Sequence, residues 1–207
     1  MLKARVGIPL LAFLLPLLLN STNFIKNDLL TPKASVIIED IGNELTSKTG
    51  IYAYVLATNR AFPERFNLVE YVMDMEKQLS KPFVVLVFAP NAIITQKSGQ
   101  RGRVGLISSS KEIASLYDSP SVKDYAIGVV ASKDKNSKED KYNIGVVQSY
   151  SELADQIADS KSVKMTTTIP NDTHTVVSIL KYIVIAGTLI LIWIFWIRPK
   201  FIRKNIE

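Results

Sequence analysis

Residues 182–197 form a run of sixteen positions without a charged side chain, and Ile179 and Leu180 extend it across Lys181. A helix needs about 20 apolar residues to cross the hydrocarbon core of a bilayer. Lys181 fits such a span by laying its methylene stem along the helix and placing its ammonium at the interface. Trp193 and Trp196 stand near the other end, and RPKFIRK follows at once. The run is apolar on all faces, whereas a helix on the edge of a soluble core keeps one polar face. This pattern predicts a transmembrane helix over residues 179–197 and a basic tail over 198–207.

A second apolar stretch, VGIPLLAFLLPLLL at residues 6–19, follows Lys3 and Arg5. As a helix, fourteen residues rise roughly 21 Å, short of the ~30 Å core. That length suits the h-region of a signal peptide, although LNSTNF behind it offers no Ala-x-Ala site. Residues 1–20 are therefore read as a signal peptide or a retained N-terminal anchor. Under the positive-inside rule both basic flanks belong in the cytoplasm. The intervening roughly 160 residues then lie across the membrane, in the periplasm if the chain is bacterial and sits in an inner membrane.

The charge distribution supports this topology. The chain carries +6 at neutral pH with a pI near 9.4, which invites a nucleic-acid reading. Lys3, Arg5, Arg198, Lys200, Arg203 and Lys204, offset by Glu207, account for +5 of that. The middle is nearly neutral, with 19 cations against 18 anions, so no nucleic-acid partner is expected. Without cysteine, disulfides, thiolate metal sites and a cysteine nucleophile are excluded.

Between the apolar segments, residues 21–30 read as a polar linker. Thr31 is an N-cap with Pro32 behind it, and Ala34, Ile37, Ile38, Ile41 and Leu45 recur at helical spacing up to Gly50. IYAYVLA at 51–57 reads as a strand. Asn67 and Glu70 resemble a capping box before the stripe Leu68, Val72, Met75 and Leu79. FVVLVFA at 83–89 is continuously apolar, as a strand covered on both faces must be, and RVGLIS at 103–108 makes a third strand. Residues 111–117 offer one or two helical turns, and 122–131 fit either strand or helix. SKDKNSKEDK at 132–141 reads as a charged loop. Tyr150, Leu153, Ala154, Ile157 and Ala158 resume helical spacing, and 165–178 form a second linker. The sum is an α/β domain over 31–164, a small three-layer sheet flanked by helices on both faces, plus the C-terminal transmembrane helix.

LTSKTGIYAYVLA at 45–57, KPFVVLVFA at 81–89 and YNIGVVQSYSELADQIADS at 142–160 together resemble the TPM-domain family. The resemblance covers about residues 31–160. It implies a small sheet with helices on both faces, in an exported domain held by a C-terminal membrane helix. Members of that family are linked to acid phosphatase activity, calcium binding, photosystem repair and receptor modulation, so the resemblance does not select one chemistry.

A metal-assisted phosphatase needs clustered carboxylates near strand ends. No Asp or Glu lies between Glu44 and Glu64 or between Glu76 and Glu112, the intervals holding all three expected strands. Asp134, Glu139 and Asp140 are interleaved with four lysines, which suits a solvated loop better than a calcium site. His174 is the single imidazole and lies in a linker, and QKSGQRGRVG at 96–105 lacks phosphate-loop spacing. No catalytic residue, metal ligand or cofactor is assigned. One surface feature remains: Lys97, Arg101 and Arg103 fall within seven residues around glycines, in an acid-free interval. They are expected to share a mobile loop and to serve either as a solubilising surface or as a docking patch for an acidic partner or anionic head groups. The function these features favour is a membrane-anchored, non-enzymatic domain that binds a membrane protein complex and assists its assembly, stability or turnover. A periplasmic phosphatase or other hydrolase is the alternative.

Overall fold

Thr31 starts the first helix as its residue type requires, its hydroxyl accepting from the Ala34 N–H at 3.4 Å. Pro32 follows, and Gly50 ends the helix at φ 71°, a left-handed conformation that costs glycine nothing. The computed structural model describes residues 23–170 together with the single positions Thr188 and Trp193. In it α1 spans Pro32–Thr49 and buries Ala34, Ile38, Ile41 and Leu45 of the stripe read from the sequence, while Ile37 is only partly buried at its edge.

Four strands form one mixed sheet in the order β1-β2-β3-β4: β1 Phe24–Asn27, β2 Tyr52–Ala57, β3 Phe83–Thr95 and β4 Gln100–Ser108. The first three are parallel, and β4 returns antiparallel along β3. Strand alternation divides the core. Ala53, Val55 and Ala57 of β2 and Val84, Leu86 and Phe88 of β3 pack with α1 and with α5 (Lys138–Ser160). Tyr54, Leu56, Phe83, Val85 and Val87 face the other way, toward Val72 of α2 (Leu68–Met73). Helices therefore cover both faces, which explains why β2 and β3 are apolar at nearly every position.

Several elements depart from expectation. The expected linker at 21–30 supplies β1, an edge strand too short to show periodicity. Its neighbour Asn23 is buried, donating to the Glu39 carbonyl at 3.3 Å and accepting from the Val55 N–H at 2.8 Å through its backbone. The second helix stops at Met73, and a 3-10 turn, Glu76–Gln78, replaces its last stretch. Strands β3 and β4 run on to Thr95 and back from Gln100, with register shifts between Ala89 and Thr95 where Pro90 and Asn91 interrupt the apolar pattern. Residues 111–117 hold only the short α3, Lys111–Ala114. The ambiguous stretch is helix α4, Ser119–Ala131, with Pro120 in its first turn. Ser137 caps α5, its hydroxyl accepting from the Asp140 N–H, so the charged loop ends earlier than its composition suggests.

The expected linker beginning at 165 is docked over its described part. Met165 is buried. The Glu44 carboxylate accepts the Thr166 and Thr167 N–H groups at 2.9 and 2.7 Å and both their hydroxyls. Thr168 donates to Asp155, and the Ile169 N–H donates to the Ser151 hydroxyl. Spacing could not reveal this, because the partners lie more than 100 residues away in the case of Glu44. Residues 1–20 and the span at 179–197 lie outside the described residues, two isolated positions aside; among the described residues no helix is long and apolar enough to cross a membrane.

Two layers meet closely at Gly42. The fully buried Tyr150 of α5 donates its hydroxyl to the Ala53 carbonyl at 2.8 Å, passing beside α1. A Cβ at position 42 would lie 2.6 Å from Asn23 Cγ and closer still to the Tyr150 hydroxyl. Gly42→Ala is expected to destabilise the domain by about 1–3 kcal/mol through overpacking, read as a lower midpoint in chemical denaturation with an unchanged slope.

Burial alone would raise the Glu44 pKa, but the Lys48 ammonium and the Thr166 and Thr167 donors outweigh it and hold it far below the usual carboxylate range. A carboxylate depressed in the folded state adds stability that is complete above its unfolded pKa and is lost as pH falls through the folded one. Protection of the Thr166 and Thr167 amides from hydrogen exchange, corrected for intrinsic rates, should thus hold steady down to about pH 5 and decline on further acidification. Glu44→Gln should lower that protection about tenfold or more at neutral pH, since hydrogen bonds to a charged group contribute about 1.5–3 kcal/mol.

Candidate interaction site

In open α/β sheets, ligands bind beyond the carboxyl ends of the parallel strands. Here that edge carries Asp28 after β1, Thr58 and Asn59 after β2, and Asn91 in β3. Asp28 had no part in the sequence reading, because β1 was unrecognised. Its carboxylate accepts from the Thr58 hydroxyl at 3.1 Å and from the Asn59 N–H, and pairs with the Lys26 ammonium at 2.9 Å. Burial pushes its pKa up, but Lys26, Asn59 and Thr58 outweigh that and leave it below the usual value. Asn91 donates to both oxygens of Asn59, its backbone carbonyl at 3.2 Å. These groups satisfy one another. Among the described residues no three His, Cys, Asp or Glu side chains are grouped to hold a metal ion.

Beside this edge the chain builds a projecting arm from two segments far apart in sequence. Residues 59–66 leave β2 and fold against the bulged hairpin of residues 91–103. The Ile93 N–H donates to the Phe62 carbonyl at 2.8 Å, and the Gln96 N–H to the Glu64 carboxylate at 2.9 Å. Phe62 is fully buried with Ala89 and Ala92, and Phe66 and Tyr71 pack around it. The guanidinium of Arg103 closes the join, donating to the Phe66 carbonyl at 2.8 Å and the Ile93 carbonyl at 2.9 Å.

The three cations of the expected patch thus part company. Lys97 sits in the turn between β3 and β4, whereas Arg101 and Arg103 belong to β4. Lys97 and Arg101 are exposed; Arg103 is half-buried and holds the arm together. They do not share a mobile loop, because β3 pairs with β4 as far as Gln100 opposite Thr95. The structure adds two cations that sequence proximity hid. Arg60 is exposed, with its guanidinium carbon 5.0 Å from the Phe62 ring centroid, 5.6 Å from Tyr71 and 5.9 Å from Phe66. Arg65, also exposed, has φ 61°. A non-glycine residue in this left-handed region carries a cost of order 1–2 kcal/mol. The two segments together hold Arg60, Arg65, Lys97, Arg101 and Arg103 against one carboxylate, Glu64. The sign of the surface was legible in the second segment; its extent required the fold.

No protein-family model matches the chain, and no match is found among curated proteins. The TPM-domain resemblance therefore rests on its residue pattern.

Removing the Arg103 fork should free the arm while leaving the sheet intact. Arg103→Leu is expected to cost about 1.5–3 kcal/mol, the range for hydrogen bonds made by a charged group. Limited trypsin digestion should then cut at Lys97 and Arg101 several times faster than in the unaltered protein, with the rest of the domain resisting.

Proposed function

We propose that this chain is a membrane-anchored interaction domain, facing the periplasm if bacterial, that docks its cationic arm on an acidic face of a membrane protein complex and assists that complex's assembly, stability or turnover. The observation that carries the reading is the arm itself: five cations and one carboxylate on a rigid two-segment platform. Solubility alone needs neither rigidity nor clustering of one sign. Arg65, kept at a φ that glycine would adopt freely, also fits a residue retained for its side chain. Arginine and aromatic side chains, combined here at Arg60, Phe66 and Tyr71, are the types that dominate binding energy at protein interfaces.

The membrane helix expected at 179–197 supplies the other half of the reading. Tethering confines domain and partner to one plane, which raises their effective concentration and makes a modest contact sufficient. Resemblance to the TPM-domain family agrees with such a tethered, exported domain. A hydrolase of that family type is the second reading, favoured by one observation, the placement of Asp28 at the carboxyl edge of the parallel strands. Its carboxylate is occupied by Lys26, Thr58 and Asn59, which supports a structural role.

Affinity purification from gently solubilised membranes tests the leading reading. The unaltered protein should recover its partner at low salt and lose it steeply toward physiological ionic strength. Lys97→Glu with Arg101→Glu should reduce recovery roughly tenfold, taking about 0.7 kcal/mol per altered rim charge. Recovery of the chain alone, in several mild detergents at low salt, would sink the reading.

A further inference from the structure

Behind the arm, on the face of the sheet covered by α4 and α5, lies an apolar groove of about 360 Å³. Its floor is the edge-to-face pair Phe88 and Tyr142, with ring centroids 5.4 Å apart. Val104 of β4 forms one wall, and Ile127 and Val130 of α4 form the other. Those two α4 side chains are 50% and 37% exposed, so the helix presents apolar area that its own domain leaves partly uncovered. Arg101 and Arg103 also line the groove, and no carboxylate does.

We propose that this groove seats an apolar side chain of the partner, carried on a segment whose flanking residues are acidic. The inference rests on the interaction reading above and deepens it by naming the anchor point. Its volume is at the small end of the ~300–1,000 Å³ typical of ligand sites, which suits one or two side chains. Arg101 belongs to both the arm and the groove, so a segment lying on the arm reaches the groove directly. Charge selects the occupant. The Arg103 guanidinium is already committed to the Phe66 and Ile93 carbonyls, but Arg101 is exposed at the groove. An acidic segment offsets Arg101 as the apolar anchor excludes water, whereas a basic one would be repelled. A second groove of about 340 Å³ between α1 and α5 is lined by Lys33 and Asp140 together. It has no net sign with which to choose a partner.

The test uses the full chain in native membranes, with a photo-crosslinking residue in place of Ile127 and, as a control, in place of Val36, which is 55% exposed on α1. Illumination should join position 127 to a polypeptide, and mass spectrometry of the adduct should find an apolar residue flanked by Asp or Glu. Introducing Arg101→Glu should lower that yield several-fold, and position 36 should give little product. An adduct with lipid, a crosslinked segment without acidic residues, or equal yield from position 36 would overturn the proposal. Ile127→Glu, at an exposed site, should leave thermal unfolding unchanged and reduce partner recovery in the affinity purification. If the partner is recovered undiminished with Ile127→Glu, the groove is wrong and the interaction reading stands. If the unaltered protein recovers no partner, both fall.

Discussion

Arg103 donates to carbonyls on two segments that are nearly thirty residues apart in sequence, Phe66 and Ile93, and the functional surface depends on that join. Without it residues 59–66 would be an irregular excursion after β2, and the hairpin tip a separate projection. A planar guanidinium suits the task because its several N–H groups diverge in one fixed plane, so a single side chain serves two acceptors. Buried Phe62 supplies the apolar contact behind the fork, and Arg60 caps the aromatic cluster from outside. Four of the arm's five cations thereby acquire a place. Arg103 is structural, Arg60 is held by rings, and Lys97 and Arg101 stay exposed.

The arm stands on a sheet with little freedom to move. Residues of β2 and β3 alternate between two apolar layers, and a one-residue slip would exchange them. On one side Tyr150 ties α5 to the Ala53 carbonyl, and Gly42 lets α1 approach that contact. The same side carries Glu44, whose carboxylate holds Thr166 and Thr167 against α1. The chain therefore leaves this domain toward its C-terminal segment from a fastened point. In the interaction reading, such fastening limits the orientations in which a tethered domain presents its arm.

Local patterns were readable where the physics is local. The α1 stripe, its Thr31 and Gly50 ends, the continuously apolar β3 core and the helical spacing from Tyr150 to Ala158 all depend on neighbours within a few residues. Failures occurred where the deciding partner is remote. Strand β1 exists because β2 offers it an edge, and four residues show no period of their own. The hairpin extends past Pro90 because residues 59–66 support it, with Ile93 bonded to Phe62. The segment after Met165 looks like a spacer by composition, yet Glu44 makes it part of the domain.

By itself the sequence determined the apolar segments and their basic flanks, the α/β alternation, and a cationic stretch within an acid-free interval, because composition and short periodicity carry those properties. Only the tertiary structure decided that the segment carrying Arg60 and Arg65 folds against the hairpin carrying Lys97 and Arg101, that Arg103 fastens the two, and that Asp28 meets Thr58 and Asn59 at the strand ends. Those are relations between residues about 30 to 40 positions apart. They arise when burial of Phe62 and pairing of β3 with β4 bring separate segments into hydrogen-bonding distance, and no local pattern encodes that meeting.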